Sequence, residues 1–168
     1  MVTCQRIPSI ATLGRVIRPI PVDPLDTAEL HDFLAEADLT TAGLDARGAR
    51  YWIVRGERGE IVGSTGFERS PSAPDALIRS VAVASAVRSS GLGSELARFA
   101  LDAARAAGVE HAWLFSRRSG PFWQKLGFER ASTSSLAAAL GETTQVALFR
   151  QTGQLDREVA WKRAVHIR

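Results

Sequence analysis

The segment RSSGLG, residues 88–93, combines a cation, two hydroxyl groups and two glycines directly before a long amphipathic pattern. Glycine lets an anion approach the backbone closely, and the free N–H groups at the start of a helix hold phosphates. The segment is not a Walker loop, because no Gly-Lys-Ser/Thr sequence follows, and it lacks the third glycine of a dinucleotide fingerprint. Taken alone, it fits a flexible helix start and a phosphate cradle equally well.

Two charged side chains near this segment are candidates for further chemistry. Arg79 interrupts the apolar run ALIRSVAVA, and an arginine in a central strand needs a partner. It either pairs with Glu68 or Asp75 or clamps an anionic group of a ligand with bidentate geometry, and we favour the clamp. Glu68 ends the strand pattern IVGSTGFE, where its carboxylate either accepts a proton in a cleft or lies in solvent beside Arg69.

The elements that position these residues alternate between strand and helix patterns, which predicts one α/β (α+β) domain. A hairpin around GERG, an apolar central strand and a long amphipathic helix ended by Gly108 are the clearest of them. The expected strands cover residues 15–20, 51–54, 61–67, 76–84 and 111–116, and the expected helices begin at Pro24, Leu92 and Gly120. Asp23 is the expected N-cap of the first helix.

The two ends of the chain have weaker patterns. Residues 1–14 are expected to form a flexible tail before a domain of residues 15–168. A polar linker with one or two helical turns is expected over residues 128–145. Two apolar runs within residues 146–165 are interpreted as a hairpin, although the first run is equally compatible with a helix. These runs would suit an exchanged or edge-paired homodimer.

The composition excludes several classes of function. The net charge is +3 with a pI near 9.7, and no Lys/Arg block is interleaved with aromatic residues, which disfavours nucleic-acid binding. No apolar run approaches the roughly 18 residues of a membrane span, and the N-terminus lacks a secretory h-region. The single cysteine, Cys4, fits a reducing cytoplasm, and no metal-ligand spacing is present. We therefore expect a cytoplasmic protein without a metal.

The strand LIRSVAV, the Arg-x-x-Gly-x-Gly loop, the long helix and the later segment PFWQKLGF together resemble the GCN5-related N-acetyltransferase (GNAT) family over residues 15–165. The resemblance implies a single-domain fold, with a mixed, mostly antiparallel sheet of about six or seven strands, splayed central strands and flanking helices. It also implies acetyl-CoA as cofactor, with its diphosphate on the loop and its pantetheine beside the preceding strand. The implied cofactor-binding residues are Val81, Ala82, Val83, Arg88, Ser89, Ser90, Gly91, Leu92, Gly93, Ser94, Phe122 and Lys125.

Acetyl transfer to an amine by direct attack in a ternary complex needs three groups. A base removes the ammonium proton, for which Glu68 is the candidate, and a backbone N–H near Val81 to Val83 polarises the thioester carbonyl. Many relatives protonate the departing thiolate with a tyrosine just before the LGF segment. Trp123 occupies that position here and cannot donate such a proton, so Ser116, a water molecule or no group performs this step.

LIRSVAV and STSSLAAALGETTQVALF further resemble the arsenic-resistance acetyltransferases, which act on arsinothricin and its phosphinothricin relatives. The implied acceptor is a small anionic or zwitterionic primary amine. The implied substrate-binding residues are Arg79, Glu68, Ser116, Arg117 and Gln145. Two other interpretations stay open: a protein or peptide N-acetyltransferase, and a catalytically degenerate acyl-CoA-binding regulatory module.

Overall fold

The structure, a computed structural model, describes residues 17–165, and its strands form one seven-stranded sheet. The strands are β1 (Ile20–Pro21), β2 (Ala49–Arg55), β3 (Ile61–Arg69), β4 (Asp75–Val83), β5 (His111–Phe115), β6 (Glu129–Ala131) and β7 (Ala160–Ala164). The α-helices are α1 (Thr27–Glu36), α2 (Leu92–Ala106), α3 (Gly120–Lys125), α4 (Thr133–Leu140) and α5 (Thr144–Thr152). Short 3₁₀ turns cover Ser85–Val87 and Gln154–Arg157.

The spatial strand order is β1-β2-β3-β4-β5-β7-β6. Every neighbouring pair is antiparallel except β4 and β5, which are parallel and are connected through α2. A parallel pair needs such a crossover, and the long amphipathic helix supplies it. The predicted mixed, mostly antiparallel sheet with flanking helices is therefore confirmed.

The parallel pair opens after three rungs. Asp75, Ala76 and Leu77 of β4 pair with His111, Ala112 and Trp113 of β5, and no pairing continues beyond them. The remaining part of β4 still pairs with β3, so the gap lies entirely on its β5 side. This gap confirms the predicted splay of the central strands.

A bulge in β4 marks the same place. Ser64 faces Ala82 and Gly66 faces Arg79, so the single residue between them on β3 is opposite two residues of β4. One of those two, Ser80, has φ +60°, a value that non-glycine residues rarely adopt. The extra residue bends β4 where it separates from β5.

The core lies on both faces of the sheet. On one face, the small residues Ala97, Ala100 and Ala104 of α2 pack closely against the strands, with Phe67 and Ile78 in the same cluster. Gly108, with φ +82°, follows the last turn of α2, as its pattern predicts. On the other face α1 covers β2, while α4 and α5 cover the first half of β4 and β5.

Several sequence predictions need correction. The run interpreted as the first strand of a C-terminal hairpin is helix α5, because Val146 and Phe149 lie three residues apart and point into the core together. The expected linker contains the edge strand β6 as well as α4. Because β7 lies between β5 and β6, the second apolar run offers no free edge for an edge-paired dimer, and the homodimer stays a prediction.

The N-terminal elements are shorter than their patterns indicated. In the described residues the first strand is only Ile20–Pro21, and the tail predicted over residues 1–14 lies outside the described range. Helix α1 begins at Thr27 and is preceded by Asp26 rather than Asp23. The Asp23 carboxylate instead accepts hydrogen bonds from the N–H groups of Leu25 and Asp26, so it stabilises the turn before the helix.

Candidate active site

The gap between β4 and β5 opens into a cavity of about 550 Å³. Its walls are the second half of β4, the loop before α2, the first turn of α2, the end of β5 and the aromatic side chains of α3. Of the predicted cofactor residues, the cavity is lined by Val81, Ala82, Val83, Arg88, Ser89, Ser90, Gly91, Leu92, Gly93, Ser94 and Phe122. Lys125, at the exposed end of α3, is outside this lining.

The loop before α2 has two residues in the left-handed backbone conformation. Gly91 has φ +84° and Ser89 has φ +66°, and both lie in the left-handed region. The first intrahelical bond runs from the N–H of Glu95 to the carbonyl of Gly91. The N–H groups of Gly93 and Ser94 have no acceptor within residues 17–165, and they lie at the positive end of the helix dipole.

The backbone of β4 presents polar groups to the same cavity. In an antiparallel ladder, successive residues direct their N–H and C=O groups to opposite sides. Ala84 donates its N–H to the carbonyl of Val62 at 2.9 Å, so Ala84 and Ala82 face β3. Val81 and Val83 therefore direct their backbone groups toward the gap, where β4 has no partner strand.

A second cavity of about 290 Å³ adjoins the first across β4 and the end of β5. Arg79, Ser80 and Ser116 line both cavities. The segment of residues 37–40 and helix α5 close the second cavity from the other side. Of the predicted substrate residues it contains Arg79, Ser116, Arg117 and Gln145.

The Arg79 guanidinium is held by a buried network. Its Nη1 pairs with Oε2 of Glu68 at 3.2 Å, and its Nη2 donates to the carbonyls of Thr40 and Ala42 at 3.3 and 2.6 Å. Both side chains of the ion pair are less than 5% exposed. Glu68 is one of the two partners that the sequence offers for Arg79, and the structure contains this ion pair.

Glu68 is placed differently from its prediction. Its Oε1 accepts the N–H of Thr144, the first residue of α5, at 2.6 Å, so both carboxylate oxygens are engaged. The residue lines a third, open cavity beside Gly48 and Ser70, and it does not line either cavity at the gap. Its position suits a residue that orients Arg79 rather than one that meets a substrate.

Two buried polar side-chain atoms in the described part of the chain have no hydrogen-bond partner: Nε of Arg79 and Oγ of Ser80. Buried donors without partners are rare, because each costs roughly 1–3 kcal/mol. Both residues lie where the two cavities meet.

The remaining predicted residues occupy ordinary positions around the cavities. Oγ of Ser116 accepts the N–H of Ser119 at 3.1 Å, which leaves its hydroxyl proton available. Trp123 is buried and packs edge-on against Phe122 and Phe128. Nε2 of Gln145 lies 3.5 Å from Oγ1 of Thr40, so it ties α5 to the segment over the second cavity.

Sequence patterns did not indicate Glu158, which also lines the second cavity. Its side chain is only 6% exposed, although it lies in a polar stretch of the sequence. Its position just before β7 follows from long-range pairing, because Val159 accepts the N–H of Ser116 at the end of β5. The only signal in the sequence is a carboxylate directly before an apolar run.

Comparison with known proteins identifies this arrangement. The sequence model of the acetyltransferase (GNAT) family matches residues 15–128. The chain belongs to the GNAT acetyltransferase family. Among curated protein sequences none matches this acetyltransferase significantly.

Solved structures share the fold at low sequence identity. An acetyltransferase of the GNAT family from Staphylococcus aureus Mu50 has a TM-score of 0.72 at 13% identity, over 90% of this chain and 100% of that chain. N-acetylglutamate synthase from Neisseria gonorrhoeae, complexed with coenzyme A and N-acetyl-glutamate, has a TM-score of 0.72 at 17% identity, over 92% of this chain and 36% of that chain. A Mycobacterium tuberculosis protein in complex with CoA has a TM-score of 0.68 at 15% identity, over 88% of this chain and 98% of that chain.

Membership of the family makes the protein an acyl-CoA-dependent N-acetyltransferase with acetyl-CoA as its acyl donor. Within residues 17–165, no group of three or more His, Cys, Asp or Glu side chains could hold a metal ion. In the same range no helix is long and apolar enough to cross a bilayer.

The single tyrosine of the acetyltransferase provides a test of the buried network. Burial raises the pKa of Tyr51 to about 12; nearby Arg79 opposes this shift, whereas Glu68 adds to it. In the unfolded chain the phenol ionises near pH 10. Between pH 10 and about 12, ionisation therefore favours the unfolded state, and Tyr51 makes the free energy of unfolding fall by about 1.4 kcal/mol per pH unit. Tyr51→Phe removes this contribution to the pH dependence of the free energy of unfolding. Urea unfolding of both proteins at a series of pH values measures it.

The Tyr51→Phe variant also loses the bond from the Tyr51 hydroxyl to the carbonyl of Gly43, so it starts from a lower stability at neutral pH. The difference between the two proteins isolates Tyr51 from other groups that titrate at high pH. Parallel slopes for the two proteins above pH 10 would show that Tyr51 ionises normally.

Proposed function

We propose that the protein transfers the acetyl group of acetyl-CoA to the primary amine of a small anionic or zwitterionic acceptor, by direct attack in a ternary complex. The observation that carries this proposal is the unpartnered Nε of Arg79 in the wall shared by the two cavities. A carboxylate, phosphinate or arsinate oxygen is the natural acceptor for a buried guanidinium donor. The other donors of Arg79 that have partners hold the side chain in place.

The larger cavity is assigned to acetyl-CoA. The N–H groups of Gly93 and Ser94 and the side chain of Arg88 favour a diphosphate at the loop. The backbone groups of Val81 and Val83 favour an extended amide chain along the gap, since they offer it the pairing that β5 does not provide. One of these N–H groups is the candidate donor to the thioester oxygen.

The smaller cavity is assigned to the acceptor. Its volume of about 290 Å³ suits an amino acid, and the segment of residues 37–40 together with α5 leaves little room for a folded protein substrate. The acceptor class agrees with the N-acetyl-glutamate bound by the Neisseria synthase. The resemblance of LIRSVAV to arsenic-resistance acetyltransferases supports arsinothricin or phosphinothricin within this class.

The proposed roles of the remaining residues follow from their contacts. Glu68 orients Arg79, and Gln145 holds the segment that covers the acceptor. Ser116, at the junction of the cavities, is the candidate proton donor to the departing thiolate, since Trp123 cannot fill this role. Cytoplasmic localisation stays a prediction.

A panel of amines tests the proposed function. Release of free CoA thiol from acetyl-CoA is measured with L-glutamate, L-phosphinothricin, a neutral alkylamine and a lysine-containing peptide. We expect turnover with the two anionic amino acids and at least about tenfold lower kcat/KM with the neutral amine. Turnover of the peptide alone would indicate a peptide acetyltransferase, whereas calorimetric binding of acetyl-CoA without thiol release from any amine would indicate a binding module.

A further inference from the structure

The smaller cavity carries charges of both signs. Its arginines are Arg79 on β4 and Arg117 and Arg118 after β5, and its carboxylates are Asp38 after α1 and Glu158 before β7. A primary amine is mostly an ammonium ion near neutral pH, and it must lose a proton before it can attack a thioester. An amine acceptor in this cavity therefore needs a group that accepts its proton, and a carboxylate can both bind the ammonium ion and accept that proton.

Among the described residues that line the cavity, one carboxylate alone is both enclosed and available. Asp38 is 87% exposed and faces Arg118 across 3.8 Å at the rim. Glu158 is 6% exposed, and its Oε1 accepts a hydrogen bond from Nε2 of Gln154 at 2.9 Å. Nε of Arg117 lies 3.6 Å from the same oxygen, so both neighbours engage Oε1. Within residues 17–165 no group donates to Oε2 of Glu158.

We infer that Glu158 is the catalytic base of this enzyme: its Oε2 receives the acceptor ammonium and takes one proton from it. This inference rests on the proposed function. Arg79 comes from β4, whereas Glu158 precedes β7, the strand that pairs with β5, and its neighbour Val159 accepts the N–H of Ser116 at the end of β5. The two charges therefore come from strands on opposite sides of the gap. An acceptor that carries both groups can therefore bind in one orientation, with its anionic group at Arg79 and its amine at Glu158.

The transfer is balanced with Glu158 as base. The ammonium gives one proton to Oε2 of Glu158, and the lone pair of the amine forms the N–C bond to the thioester carbonyl carbon. The C–S bond then breaks, and its electron pair leaves with the sulfur as a thiolate. The thiolate takes the second proton from the new amide nitrogen, directly or through Ser116 or water, and Glu158 releases its proton to solvent.

Calorimetry on the full-length protein saturated with CoA tests the binding step without turnover. The probes are L-glutamate and glutarate, which differ by the amine. The wild-type protein should bind L-glutamate more tightly than glutarate. Glu158→Gln should weaken the binding of L-glutamate at least about tenfold, whereas its affinity for glutarate should stay the same or increase. Glu129→Gln, which removes an exposed carboxylate on β6, is the matched control and should bind as the wild type does.

Turnover separates catalysis from binding. At neutral pH, Glu158→Gln should lower kcat by about 100-fold or more, the usual contribution of a general base. Its rate should then rise about tenfold for each pH unit, because only amine already deprotonated in solution reacts. Glu158→Asp should restore part of the loss.

The two readouts distinguish failure of this inference from failure of the proposed function. The role of Glu158 is overturned if Glu158→Gln loses the same affinity for L-glutamate and for glutarate, or if its pH profile is that of the wild type. In both cases the enzyme remains an amino-acid acetyltransferase. A wild-type protein that binds L-glutamate no better than glutarate also overturns it. Turnover of the peptide alone overturns the proposed function itself.

Discussion

Gly91→Asp is expected to weaken binding of acetyl-CoA by at least about 100-fold, which corresponds to about 2.7 kcal/mol. The substitution places a carboxylate in the loop beside the N–H groups of Gly93 and Ser94, which are the proposed donors to the diphosphate. The new side chain repels the diphosphate and competes for these donors. A Cβ at this position meets no atom within 4 Å, so the loss is electrostatic and conformational rather than steric. Isothermal titration with acetyl-CoA measures it.

Gly59→Asp is the matched control for this substitution. Gly59 has φ +81°, close to the +84° of Gly91, and a Cβ there also meets open space. Because it lies in the β2–β3 turn, it introduces the same charge and similar backbone strain away from the cavity. Both variants should lose roughly 1 kcal/mol of stability, and only Gly91→Asp should lose affinity. Wild-type affinity in Gly91→Asp would remove the loop from the cofactor site.

Arg79→Met is expected to lower the free energy of unfolding by about 3–5 kcal/mol. It leaves Glu68 charged and buried without its counter-ion, and it leaves the carbonyls of Thr40 and Ala42 without their donor. Urea unfolding measures the loss. Arg105→Met is the control, because Arg105 forms an exposed pair with Asp102, and pairs of that kind contribute no more than about 1 kcal/mol.

The double variant Arg79→Met/Glu68→Leu separates the structural role of Arg79 from its proposed role toward the acceptor. Removing both charges should recover part of the stability, since replacing a whole buried ion pair is far less costly than breaking it. The hydrogen bond from Thr144 to Glu68 is still lost, so recovery is incomplete. Turnover of anionic amines should stay low with a raised KM. Wild-type turnover in a stable double variant would show that Arg79 does not contact the acceptor.

The parts of the fold that the sequence predicts are those with local signals. Helix α2 has an apolar face with helical spacing and ends at Gly108, and the β2–β3 hairpin has alternating strands around a turn. The loop at residues 88–93 was recognisable because its glycines lie between a strand and a helix. These features need no information from distant residues.

The missed features depend on distant contacts. The run of α5 is short and apolar, so its periodicity does not separate a helix from a strand until the core position of Val146 and Phe149 is known. Glu68 looks like a free carboxylate at a strand end, and its burial comes from Arg79 and the first turn of α5. Glu158 reaches its cavity only because β7 is inserted between β5 and β6.

The short pairing between β4 and β5 makes the stability of the folded enzyme depend on the concentration of its own substrate. Only Asp75 to Leu77 connect these two strands, and the rest of the seam is open. On the proposed function, acetyl-CoA fills that opening and binds the folded chain alone, which stabilises it by RT ln(1 + [L]/Kd). At an acetyl-CoA concentration a hundred times Kd this adds about 2.7 kcal/mol, a large fraction of the stability of an ordinary domain. Depletion of acetyl-CoA would thus raise the small unfolded fraction about 100-fold, and cellular proteases that remove unfolded chains would lower the amount of enzyme.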